Sequence, residues 1–266
     1  MSLLPATHLL RSGLQRSGYF STPSTPEATV RSFVDKLRPY TTDKKLIRIG
    51  AGADGGYLVP DDLTGIEYCF SPGVNRTATF EEDILRRGIK SYLADASVDG
   101  PPASLRDYVF DKKFLGSYND ETYMTLTSWM ERYLPAHRGD LLLQMDIEGG
   151  EYPVLIESPR ETLRRFRIIL IEFHHLEQLL NRAMFPLLAE AFHKLLLDFT
   201  LVHLHPNNAG GVNRLGSVLL PNMLEMTFLR NDRIAERKPS VSFPHPLDQR
   251  NLSTQDDLVL PDCWYR

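Results

Sequence analysis

Two apolar runs set the terms for this chain, Asp140-Leu-Leu-Leu-Gln-Met-Asp146 and Phe166-Arg-Ile-Ile-Leu-Ile-Glu-Phe173. A strand with one wet face alternates polar and apolar residues. A run without that alternation must be buried on both faces, as in a parallel sheet covered by helices. Weaker strand patterns occur at Ile66–Phe70, Lys90–Ala94, Lys113–Tyr118, Phe199–His205 and Leu224–Arg230. Helical periodicity fills the gaps at Thr79–Arg87, Thr125–Leu134 and Phe185–Leu197. This alternation predicts a doubly wound α/β domain with one sheet.

The rest of the chain agrees with a single domain. Its 266 residues suffice for one large core. The expected division is a leader, linker and N-terminal helix over 1–40, the α/β domain over 41–235, and a Pro-rich tail over 236–266 packing on that domain. Thirty basic against 34 acidic side chains give a net charge of −4, which argues against a dedicated nucleic-acid binder. Two cysteines, Cys69 and Cys263, make neither a disulfide framework nor a four-cysteine zinc site. No apolar run is long enough for a membrane span. Residues 1–26 contain no Asp or Glu but carry Arg11 and Arg16. That start resembles a mitochondrial transit peptide; the competing reading is a short surface helix and a Ser/Thr/Pro linker in a cytoplasmic protein.

Open α/β sheets bind ligands beyond the carboxyl ends of their strands. The residues there are Gly73 and Asn75, then Asp95 and Ser97, then Asp146 and Glu148, then Glu172, His174 and His175. Ser71-Pro-Gly-Val-Asn75 joins a strand to a helix, and its glycine lets backbone approach a ligand. No pyrophosphate or triphosphate cradle motif is present. Asp95, about twenty residues on, suits a carboxylate that accepts from ribose hydroxyls. Asp146 and Glu148 alternate along an extended segment and so share a side. They can act as base, metal ligands or binders of a cationic group, while Glu151 suits the start of the next helix. His174 or His175 can serve as a base. Asp54-Gly-Gly-Tyr57 also makes a plain tight turn. His203 and His205, with Asn207, Asn208 and Glu225, form a second polar group without any metal-specific spacing.

Several of these segments resemble one family. Gln144-Met-Asp-Ile-Glu-Gly-Gly-Glu151 is similar to the D-h-E-G-x-E segment (h, hydrophobic) of FkbM-type methyltransferases. Asp54-Gly-Gly-Tyr57, Ile171-Glu-Phe-His174, His205-Pro-Asn-Asn208, Glu225-Met-Thr227 and Pro244-His-Pro-Leu-Asp248 resemble elements of one branch of it. The resemblance covers roughly 46–250 and implies a Rossmann-like class I methyltransferase sheet of about seven strands, the last antiparallel. It implies S-adenosylmethionine as cofactor. The cofactor-binding residues expected are Asp54, Gly56, Tyr57, Gly73, Asn75, Glu81, Asp95, Ser97 and Asp146; the catalytic ones are Asp146, Glu148 and His174. Ser-Pro-Gly-Val-Asn departs from the acid-G-x-G-x-G of methyltransferases at large. No metal ligands are assigned, although a divalent cation could replace the base. The expected activity is O-methylation of a hydroxylated small molecule or glycan. Two alternatives compete with it. One is a glycoside hydrolase using Asp146 and Glu148, which the presence of only Trp129 and Trp264 disfavours. The other is a catalytically silent cofactor-binding module.

Overall fold

The computed structural model describes residues 13–19, 21–74 and 77–266. Near the start, β1 (Tyr40–Thr42) is followed by an antiparallel hairpin of β2 (Leu46–Ile49) and β3 (Tyr57–Pro60). The central sheet then begins with β4 (Tyr68–Pro72), β5 (Lys90–Ala94) and β6 (Tyr108–Asp111). A minimal parallel pair, β7 (Phe114–Leu115) and β8 (Tyr123–Met124), comes next. The sheet resumes with β9 (Leu141–Met145), β10 (Phe166–Phe173) and β11 (Phe199–Pro206). The hairpin β12 (Val212–Leu215) and β13 (Val218–Pro221) leads to β14 (Leu224–Arg230), and β15 (Arg237–Pro239) pairs with β1.

The seven central strands lie in the order β6-β5-β4-β9-β10-β14-β11. The pairs from β6 to β10 are parallel. The last of these seven strands in chain order, β14, runs antiparallel to both its neighbours. The expected Rossmann-like sheet of seven strands with an antiparallel last strand is therefore present. From β4 the chain builds outward to β6 and then returns to β9 on the other side. The loops after β4 and β9 diverge there, which makes a crevice for ligands.

Side-chain alternation explains the two covered faces. Leu141, Leu143, Met145, Ile169, Ile171 and Phe173 enter the larger core, while Leu142, Ile168 and Leu170 enter the smaller one. On the larger face lie helices α1 (Glu27–Lys36), α3 (Leu126–Tyr133), α4 (Glu151–Glu157), the single-turn α5 (Arg160–Leu163) and α6 (Phe185–Leu196). In α6, Leu188, Ala191, Phe192 and Leu195 keep helical spacing and are buried, with Pro186 in its first turn. Phe192 meets Phe33 of α1 edge-on at 5.4 Å. On the other face, α2 (Thr79–Arg86) brings Phe80 and Ile84 against Ile49 and Val59 of the hairpin. Cys69 is a fully buried hydrophobe in that smaller core.

The third strand lies at Tyr108–Asp111, which corrects the expectation of Lys113–Tyr118. The reason is exposure: Tyr108 and Val109 sit on the sheet edge in water, so the strand carries no apolar run. Phe114 and Leu115 pair only with Tyr123 and Met124. The tail is anchored by Trp264, fully buried, whose Nε1 donates to Leu219 O at 2.9 Å.

Candidate active site

The crevice after β4 and β9 is built on a backbone approach. Gly73 N donates to Ala94 O at 3.0 Å, and Asp146 N donates to Pro72 O at 3.2 Å. Gly73 has φ +94°, and a Cβ there would stand 1.6 Å from Asp146 O. Only glycine permits both that conformation and that contact.

Asp95 organises one wall. Its Oδ2 accepts from Val74 N at 3.0 Å, and its Oδ1 accepts from Ser97 N at 2.7 Å and Ser97 Oγ at 2.6 Å. Oδ1 is thereby saturated, while Oδ2 keeps one lone pair for a further donor. Between these loops opens a cleft of about 430 Å³, lined by Gly73, Asp95, Ser97, Asp146 and Glu148, with Phe114 and Tyr123 opposite.

Asp146 and Glu148, which line the cleft, converge with His174 beside it. His174 is buried, 4% exposed, while Glu148 is 86% exposed at its side chain. His174 Nε2 stands 3.7 Å from Asp146 Oδ1 and 3.5 Å from Glu148 Oε2. On the other side of the ring, Nδ1 lies 3.1 Å from Glu151 Oε1. That oxygen already accepts from Ile147 N and Gly149 N, both at 3.2 Å, so the imidazole donates to it. Glu151 is fully buried, and its bonds reach back into the loop before α4 rather than into the helix's own first turn. Burial pulls the His174 imidazole down, and the Glu151 hydrogen bond and surrounding carboxylates outweigh it, leaving the pKa above 6.5. Burial pushes Asp146 up to about 7. Glu148 and His175 take left-handed φ of 56° and 55°, a strained conformation for either residue.

Behind Gly73 the other expected residues gather. Asp54, Tyr57, Glu81, Gln144 and Asp146 share a narrow void of about 30 Å³ with Gly73. Ser71 Oγ lies 2.5 Å from Glu81 Oε1 and 2.6 Å from Gln144 Oε1. One hydroxyl proton cannot serve both acceptors. Burial raises the pKa of Glu81. Gln144 Nε2 donates to the buried Tyr57 hydroxyl at 3.4 Å. Gly56 closes the β2–β3 turn, where a Cβ would meet Ala51 O at 2.0 Å. Asn75 lies outside the described residues.

A family model for the methyltransferase FkbM domain matches residues 65–197. The chain belongs to the FkbM methyltransferase domain family. No curated protein matches the chain. The matched span of this FkbM-family chain runs from before β4 to the end of α6, and so contains both loops of the crevice. The family match gives no support to the glycoside-hydrolase reading, and the sheet of the described residues is open.

The second polar group is knitted to the tail. His203 Nε2 lies 2.9 Å from Asp248 Oδ1, and both side chains are buried. His205 lies between Glu225, at 3.4 Å, and Asp257, at 3.5 Å. Asn208 Nδ2 donates to Leu252 O at 2.9 Å, and Asn207 Nδ2 donates to Glu172 Oε1 at 2.7 Å. Asn207 and Asn208 are therefore held by protein partners, and His203 and His205 stand beside carboxylates, with the Nε2 atom of each buried and without a hydrogen bond. A larger groove of about 520 Å³ between β1, β15 and the tail includes His203 and His245 but none of the crevice residues. Among the described residues no helix is long and apolar enough to cross a membrane. The first twelve residues of the transit-like segment lie outside the described residues.

Two features of this FkbM-family site were not legible from the residues in order. The Glu151–His174 bond joins the start of α4 to the end of β10. Phe114 and Tyr123 enter the wall because the β7–β8 pair folds them over the cleft. Phe114 lay in a segment read as strand, and Tyr123 lay outside every element read from the sequence.

Proposed function

We propose that the chain is an S-adenosylmethionine-dependent methyltransferase acting on a hydroxyl oxygen of a small molecule or glycan. The observation that carries this reading is family membership joined to an acid-lined crevice at the switch point of the sheet. The donor set suits the cofactor. Asp95 Oδ2 has a lone pair free for a ribose hydroxyl, and Phe114 and Tyr123 offer apolar faces for a base. Asp146, costly to ionise where it is buried, is stabilised as a carboxylate by a nearby cation.

When bound, the cofactor supplies a methyl group on a sulfonium that needs no further activation. The protein's work is alignment and exclusion of water. Glu151 fixes the His174 ring, so that Nε2 faces Asp146 and Glu148 at the edge of the cleft and can take the hydroxyl proton as the new bond forms. Asp146 and Glu148 stabilise the imidazolium that results. Incubation with methyl-labelled S-adenosylmethionine and a pool of hydroxylated small molecules and glycans tests the reading. It expects labelled ether products and release of S-adenosylhomocysteine above the rate without acceptor. A pool that stays unlabelled while the protein binds the cofactor would favour the silent binding module.

A further inference from the structure

We propose that Asp146, Glu148 and His174 form a binding site for a divalent transition-metal ion. Their ligand atoms lie within 4.8 Å of one another. Two donors on one ion, with bonds of about 2.1 Å, stand about 3.0 to 4.2 Å apart, according to the angle between them. The separations from His174 Nε2, 3.5 and 3.7 Å, fall inside that range. They are too long for hydrogen bonds. Glu148, exposed and free to swing, is the arm that closes the shell.

A second observation points the same way. His174 is buried, yet no hydrogen bond reaches its Nε2. Asp146 Oδ1, which faces it, is buried with no hydrogen-bond partner. With Nδ1–H donated to Glu151, a neutral His174 aims its Nε2 lone pair at two carboxylates. A lone pair facing two anions is repulsive unless Nε2 carries a proton or a metal ion stands between the three groups. A single proton on Nε2 cannot close either contact at these distances, whereas one ion satisfies all three groups at once.

The Glu151–His174 bond also has the form of the carboxylate–histidine–metal relay, in which an outer carboxylate fixes the tautomer and orients the ring. A mixed nitrogen and oxygen set favours zinc, cobalt or manganese over magnesium and calcium, which prefer oxygen alone. Three protein ligands leave at least one position open. An acceptor hydroxyl bound there would lose its proton more readily. With an ion bound, His174 Nε2 would be a ligand rather than the base, and acidification of the hydroxyl by the ion would replace that proton transfer; the site deepens the methyl-transfer reading but rests on its own geometry.

The test is titration of the untagged, chelator-stripped full chain with divalent cobalt, whose visible spectrum reports nitrogen ligation. One saturable ion per chain is expected, together with a rise in melting temperature. Asp146→Asn and His174→Asn should each weaken binding about tenfold or more, and Glu151→Gln about tenfold through the outer shell. Glu148→Gln changes an exposed side chain and should fold normally, so a weaker site in that variant supports the assignment even if His174→Asn does not fold. No saturable binding at millimolar cobalt would overturn the site. So would binding unchanged in both Asp146→Asn and Glu148→Gln, or displacement of cobalt by an equal concentration of magnesium. Cobalt binding without S-adenosylhomocysteine binding would remove the methyl-transfer reading alone; the reverse would remove the ion site alone.

Discussion

The two ends of the β9–β10 pair carry charge in opposite ways. At the amino end, Arg167, Arg230 and Arg233 interleave with Asp62, Asp140 and Asp232. Arg167 Nε and Arg230 Nη1 each reach Asp140 at 2.8 Å, and Arg233 Nε reaches Asp62 at 2.8 Å. Arg167 also donates to Asp62 O and Thr64 O. Charges and hydrogen bonds there are matched. At the carboxyl end, Asp54, Asp146, Glu148, Glu172 and Glu225 crowd together with few cations. Burial and then Asp146 push Glu172 well up, and burial and then Glu225 push Asp54 up. Buried oxygens of Asp146 and Glu151 have no partner. A protein optimised only for stability would not keep such a cluster. The matched end holds the fold, and the unmatched end is poised for a cation.

Breaking each end should therefore give opposite results. Arg167→Ala should cost about 3–5 kcal/mol in denaturant unfolding, because it strips a buried charge of its partner. A loss under 1 kcal/mol, roughly the value of a surface pair, would erase the contrast. Gly73→Ala should cost about 2–4 kcal/mol, since the backbone must move where a Cβ meets Asp146 O. It should also abolish binding in the cleft; a variant with normal stability and binding would show the approach to be incidental. Asp146→Asn should leave stability unchanged or raise it by about 1–2 kcal/mol while it removes function, as expected where like charges are held together for use. A clear loss of stability would mean that Asp146 is a matched structural charge like Asp140.

The smallest effect expected is in pH dependence at the amino end. Burial raises the Asp140 carboxyl, but the hydrogen bonds from Arg230 and Arg167 outweigh it, so its folded pKa lies below the ordinary 3.8. Its contribution is therefore fully present above about pH 4 and is lost as pH falls through the lower folded value. The stability gap between the native chain and Asp140→Asn should narrow on acidification below that point. A gap that widens would reverse the sign of the pairing.

The carboxyl end of this contrast, but not the amino end, was visible in the residues before the fold. β9 and β10 were legible because every position is buried and the apolar run is nearly continuous. Asp146 stood out as an acid ending so apolar a strand. β6 was misplaced because an edge strand with Tyr108 and Val109 in water sends no apolar signal. The β2–β3 hairpin escaped notice because each strand has four residues and its register is set by a turn containing Gly50 and Gly56. The roles of Glu151 and Arg167 depend on partners distant in sequence. Periodicity locates elements, but it does not say which charges they bring together.

The central claim is that the unmatched end binds a nucleoside cofactor at the crevice. Calorimetric titration with S-adenosylhomocysteine, on the native chain and on Asp95→Ala, tests it most directly. The account predicts one saturable site, weakened by about 1.5–3 kcal/mol when the Asp95 carboxylate is removed. A folded chain that gives no binding heat at millimolar ligand would contradict it.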